Sequence, residues 1–200
     1  MIGGMDMIKK AICIILCVVV LLGCNRKNNE TYNASLQLYQ NYIDIIVNNK
    51  GVESKNIPFN YKLNVKKNED NTYTYEIDIY NPQVPMYQIK AIAVDQSVDS
   101  NQYIYPCIGI LGDDYERNFH MIPYQSNGKK GFVKMITLDA ITSAEEFSIN
   151  VLVTWKDSTL QKESRVFFNC HYVPKKGDDT SGNKVTSDKG KSDASTNSNN

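Results

Sequence analysis

An excess of charge is the first thing this 200-residue chain lacks: 22 Lys and Arg stand against 22 Asp and Glu. Binding to a phosphate backbone needs a basic excess or a basic face. Neither is visible in the order of residues, which excludes nucleic acid as a partner. Histidine is nearly absent, with His120 and His171 the two in the chain. Two histidines this far apart, without Cys or Glu at ligand spacing, do not make a zinc site. There is no Gly-x-Ser-x-Gly elbow and no glycine loop of the phosphate-cradling kind, so these local signatures of hydrolases and nucleotide-binding enzymes are missing. A site assembled from distant residues would leave no such trace. Also missing is an apolar run long enough for a lasting transmembrane helix. The run from Ala11 to Gly23 has thirteen residues, about 20 Å of helix against the ~30 Å hydrocarbon core of a bilayer.

That short run is nonetheless the most informative stretch of the chain. Lys9 and Lys10 precede it, it ends in Leu21-Leu22-Gly23-Cys24, and Asn25-Arg26-Lys27 follows at once. A basic start, a short apolar core, a small residue and an abrupt polar switch come in the order of an export signal. Leu21 to Cys24 resemble the lipobox of bacterial lipoproteins, in which a diacylglycerol is attached to the cysteine and signal peptidase II cuts just before it. The resemblance implies that residues 1–23 are a signal peptide and that Cys24 is the lipidated first residue of the mature chain. It also implies that the protein sits on the extracytoplasmic face of the bacterial cell membrane. Two or more acyl chains make such an anchor durable, where one gives only marginal binding. The alternative is an uncleaved N-terminal anchor. Removing residues 1–23 leaves 177 residues with 20 basic and 21 acidic side chains, enough for one domain with flexible flanks.

The five cysteines sort by position. Cys13 and Cys17 leave with the signal, Cys24 takes the lipid, and Cys107 and Cys170 remain. Export permits a disulfide between the last two. It would close a loop of about 64 residues and stabilise the fold by ~4 kcal/mol on the chain-entropy estimate. The other reading is two buried thiols, which pack as small apolar side chains.

Residues 24–29 read as a polar tether, and residues 30–51 as an amphipathic helix. Leu36, Tyr39, Ile43 and Ile46 recur at three and four residues, with Tyr32, Tyr42 and Ile45 widening the stripe and Gly51 as the stop. The stripe is expected to pack on the domain; pairing with a partner helix is the other use of it. After Pro58 the period changes to two. Phe59 to Lys66 and Tyr73 to Ile79 alternate apolar and polar around the turn residues Lys67 to Asn71, which predicts a hairpin. Tyr87 to Asp95 reads as a third strand with Ala91 and Ala93 facing away from Ile92 and Val94. Tyr103 to Leu111 reads as a fourth, broken by Pro106. Residues 112–131 read as loop, Phe132 to Leu138 as a fifth strand, and Asp139 to Glu146 as a polar connection with room for a helical turn. Phe147 to Trp155 and Val166 to Cys170 form a second hairpin.

About seven strands with turn signals every ten or so residues predict a mainly β fold, an antiparallel β-sandwich over residues 57–173 preceded by the helix. A small barrel is the alternative. The strand ending in Tyr80-Asn81-Pro82 and the terminal hairpin around Trp155 resemble the immunoglobulin-like domains of bacterial cell-surface proteins. Cys107 and Cys170 do not flank a tryptophan at the antibody spacing, so the bridge between sheets found there is not implied. In residues 174–200 Val185 is the one sizeable apolar side chain. Burial cannot offset the entropy of ordering such a segment, which reads as a disordered tail of mixed charge.

Three carboxylates and a histidine crowd the loop Asp113-Asp114-Tyr115-Glu116-Arg117-Asn118-Phe119-His120. Oxygen ligands at this density could hold calcium, but the alternating ligands and fixed glycine of an EF-hand loop are missing, so no metal or cofactor is assigned. His171 is expected at the surface. Of the thirteen tyrosines, Tyr61, Tyr73 and Tyr75 are expected to pack within the sheets. Tyr103, Tyr105, Tyr115 and Tyr124 flank or sit in loops and are the contact candidates. The expected role is non-catalytic binding or adhesion by a lipid-anchored surface protein, toward a protein or an envelope polymer. The alternative is an accessory subunit of an envelope, secretion or conjugation complex that docks through its helix. A hydrolase dependent on His120 is the third reading.

Overall fold

The computed structural model describes residues 30–98, 104–112, 115, 117–124, 131–174 and 185–189. Among them are one helix, α1 (residues 30–49), and nine strands. The strands are β1 (Asn60–Lys67), β2 (Tyr73–Tyr80), β3 (Met86–Asp95), β4 (Cys107–Ile108), β5 (Phe119–Met121), β6 (Met135–Thr142), β7 (Phe147–Lys156), β8 (Glu163–Tyr172) and β9 (Val185–Lys189). One sheet has the order β6-β2-β1-β9. The other runs β4-β3-β7-β8, with β5 also on β3, and every strand pairing is antiparallel. The fold is therefore mainly β, a sandwich of two antiparallel sheets.

Period-two side chains build the core between the sheets. Tyr61, Leu63 and Val65 of β1, Tyr73 to Ile79 at alternate positions of β2, and Ile136 and Leu138 of β6 meet Ala91, Ala93, Ile149, Val151, Val153 and Phe168 of the opposite sheet. Aromatic pairs stiffen it. Tyr61 stacks on Phe168 with ring centroids 4.0 Å apart, Phe59 sets an edge against Trp155 at 6.3 Å, and Phe147 lies 5.2 Å from Tyr172. Such pairs contribute about 0.5–1.5 kcal/mol each beyond the area they bury. Tyr61, Tyr73 and Tyr75 are all buried here, as their strand positions predict.

A second core lies outside the sandwich. Tyr39, Tyr42, Ile43 and Ile46, at helical spacing, cover Ile92, Val94 and Leu152 on the outer face of the second sheet. Ala91 and Ala93 thus face one core and Ile92 and Val94 the other, so β3 is apolar on both sides because it is covered on both. Two hydrogen bonds pin the helix: the Tyr105 N–H donates to Tyr39 Oη at 2.8 Å, and the Tyr42 and Thr154 hydroxyls lie 2.7 Å apart. Lys50 and Gly51, with φ of 52° and 72°, stop the helix by entering the left-handed region. The expectation that the stripe packs on its own domain holds for these four residues. Tyr32 and Leu36 stay exposed.

Boundaries differ from the sequence expectation where pairing is short. The predicted fourth strand shrinks to Cys107–Ile108, and β5 lies inside the predicted loop. The fifth strand begins later and runs on through the predicted polar connection to Thr142. There Asp139 sits opposite Glu76 on the wet face, so a polar residue does not interrupt the period. In the tail, Val185–Lys189 lies along the edge of β1 as β9. Main-chain pairing, which the apolar-content argument does not count, accounts for that stretch; residues 175–184 and 190–200 lie outside the described residues.

Cys107 and Cys170 are thiols, not partners in a bridge. Cys107 pairs opposite Ile92, Ile92 opposite Leu152 and Leu152 opposite Phe167. The two cysteines are thus on opposite edge strands, at least about 14 Å apart at ~4.8 Å per strand, with Cys170 three residues further along β8 than the position in line with Cys107. They also face different cores. A disulfide needs Cα atoms within about 7 Å, so the bonded alternative is excluded.

Candidate functional site

A β-bulge in β3 builds the most distinctive surface feature. Met86 pairs with Met121 and Ile89 with Phe119, so three steps on β3 match two on β5; β7 shows the same mismatch between Tyr87 and Lys90. The extra residue puts Gln88 at φ 47° and re-aims its neighbours, as bulges do beside functional sites. The Gln88 N–H, taken out of the ladder, donates to His120 Nδ1 at 3.0 Å. An imidazole that accepts at Nδ1 carries its proton on Nε2. Desolvation pushes the His120 pKa below its ordinary value, which keeps the ring neutral near pH 7.

Around that imidazole stands a triangle of rings. Tyr87 and Phe132 lie 5.2 and 5.1 Å from His120 and 6.2 Å from each other, and all three are half-buried. Gly131 holds the corner together. Its carbonyl accepts the His120 N–H at 2.8 Å, and the Val133 N–H donates to His120 O at 2.9 Å. At φ 81°, a Cβ on Gly131 would lie 2.0 Å from Asn118 O, so only glycine fits. The corner offers three aromatic surfaces and one imidazole N–H, which suits stacking against a ring or an apolar face.

The sequence candidates scatter. Cys24, Tyr103, Asp113, Asp114 and Glu116 lie outside the described residues. Tyr105 is not a contact residue: it is 3% exposed, and its own hydroxyl donates to Val98 O at 3.2 Å. Its loop position misled because the loop passes under α1. Tyr115 is half-buried, while Tyr124 is fully exposed at φ 61°. His171 is exposed on β8, as expected, with Nδ1 2.8 Å from Ser148 Oγ and Nε2 3.6 Å from Glu146. Among the described residues no group of three or more His, Cys, Asp or Glu converges, and no helix is long and apolar enough to cross a membrane.

Tyr87 and Phe132 were missed by sequence reasoning. A signal for the bulge was present: inward positions run Met86, then Ile89, Ala91 and Ala93, a change of parity that only an extra residue allows. Comparison with protein-family models, curated proteins and solved structures finds no match to this chain.

Proposed function

We propose that this protein is a lipid-anchored surface protein of the bacterial cell membrane, held by a diacylglycerol on Cys24, that binds an envelope polymer or a protein without chemical turnover. Anchoring rests on the Leu21-Leu22-Gly23-Cys24 signal. The observation that carries the binding reading is the ring triangle of Tyr87, His120 and Phe132, half-exposed where the bulged β3 meets β5 and the segment before β6. Sandwiches host many unrelated roles, so the fold adds no ligand of its own. The helix-docking alternative has less support, because the residues it would present, Tyr39, Tyr42, Ile43 and Ile46, are spent on the chain's own sheet.

Two measurements test the two halves. Cys24→Ala in the full chain is expected to abolish incorporation of labelled palmitate and to move the protein out of the membrane fraction; unchanged labelling would end the lipoprotein reading. Co-sedimentation of the full chain with purified cell-wall sacculi, and cross-linking in cells, are expected to fall when Tyr87 and Phe132 are both changed to Ala. Undiminished capture of one set of membrane proteins by that variant, together with its loss in Tyr32→Ala/Leu36→Ala, would favour the accessory-subunit reading.

A further inference from the structure

Helix α1 has three faces. Tyr39, Tyr42, Ile43 and Ile46 are buried against the second sheet, and Asn33, Gln37, Asn41, Asp44 and Asn48 make the opposite, solvated side. Tyr32 and Leu36, four residues apart and so one above the other, lie on the flank between the two and are 59% and 39% exposed. A third exposed side chain belongs to the same corner. Ile104, 71% exposed, precedes Tyr105, whose N–H is held by Tyr39 Oη one helical turn beyond Leu36.

Chain length sets what lies near that corner. Glu30, the first residue of α1, is six residues from Cys24, and six residues fully extended span at most about 22 Å. The ten residues of β7 alone run to about 33 Å. A diacylglycerol on Cys24 therefore keeps the start of α1 within reach of the bilayer however the sandwich tilts, while the far end is free to swing away. Arg26 and Lys27 in the connection have the sign that anionic headgroups attract. A tyrosine suits the headgroup level, where its ring meets apolar chains and its hydroxyl meets water.

We propose that Tyr32, Leu36 and Ile104 dock on the outer leaflet of the bilayer, so that the lipid and this patch together hold the domain in one orientation. The patch needs little affinity of its own, because the second contact of a tethered molecule is intramolecular. Docking also decides which surface faces outward. Val98, which accepts from the Tyr105 hydroxyl, follows the last residues of β3, whereas Tyr87 lies at its start. The corner of Tyr87, His120 and Phe132 is thus turned away from the membrane, toward the envelope.

This rests on the Cys24 reading, and the test separates the two. Full-length chains are purified from membranes, weighed intact by mass spectrometry and reconstituted into vesicles of phosphatidylglycerol and phosphatidylcholine, with or without bromine on the acyl chains. Trp155, the one tryptophan of the parent, is buried and sets the background. Tyr32→Trp and Ile104→Trp are each expected to lose their added emission in brominated vesicles. Gln161→Trp is expected to keep it, since that exposed turn follows Lys156, which pairs with Tyr87 at the far end. Leu36→Asp added to Tyr32→Trp is expected to abolish the quenching and leave the thermal midpoint unchanged. A chain without the mass of a diacylglycerol ends the anchor reading and the docking with it. An acylated chain whose Tyr32→Trp emission is unquenched overturns the docking alone. So does a photo-reactive amino acid in place of Leu36 that links in cells to one protein and not to lipid, which assigns the patch to a protein partner.

Discussion

At the scale of single residues, two titratable groups report on the packing around them. His120 has its pKa depressed by desolvation below the ordinary 6.5, so between those values the unfolded chain binds more protons than the fold does. Its contribution is fully present above about 6.5 and is lost as pH falls through the lowered folded value. Urea midpoints are therefore expected to drop between pH 7.5 and pH 5 in the parent and to drop less in His120→Phe. That substitution also strands the Gln88 N–H, which costs roughly 1–2 kcal/mol at neutral pH. Tyr61 shows the opposite sign. Burial first, then the Cys170 thiol and the Glu53 carboxylate, push its phenol to about 12. The fold holds that proton when the unfolded chain has lost it, so stability falls as pH rises from 10 toward 12. An ultraviolet titration is expected to show Tyr61 among the phenols that ionise late, together with Tyr42, whose pKa burial also raises, and Tyr61→Phe to reduce the late-ionising absorbance by one phenol. The burial of Tyr61 was legible in the alternation of β1. The neutrality of His120 was not, because its partner is a main-chain N–H 32 residues away that only the bulge releases.

At the scale of elements, legibility followed pairing length. β1, β2, β7 and β8 have eight to ten residues each and were readable from their period alone. β4 and β5, of two and three residues, exist because β3 has a free side and a bulge that divides it between them. No local pattern that short distinguishes strand from loop. Helix α1 was legible as an amphipathic stripe, but not as the second cover of β3. That cover changes what its removal does. Deleting residues 30–50 bares Ile92, Val94 and Leu152, and the shortened chain is expected to lose its cooperative thermal transition instead of surviving as a folded sandwich. The milder Ile46→Ala, at a position 2% exposed, is expected to cost about 2–5 kcal/mol, as truncation of a buried Ile does, measured by denaturant unfolding.

At the scale of the whole molecule, no disulfide ties the sandwich together among the described residues. Cys107 and Cys170 sit on opposite edge strands and face different cores, so reducing agent is expected to leave both the thermal midpoint and the gel mobility of the chain unchanged. A bridged form in a non-reducing gel would contradict the strand order itself. What the sequence by itself determined is local: the helix period, the two hairpins and the face of each long strand. All are patterns within one element, where spacing alone sets which side chains share a surface. Only the tertiary structure decided the rest. It placed α1 on the outside of β3 and β7, separated the two thiols, buried Tyr105 and gathered Tyr87, His120 and Phe132 at one corner. Those outcomes depend on which strands become neighbours, and neighbours are chosen by burial summed over the whole chain, which no window of residues contains.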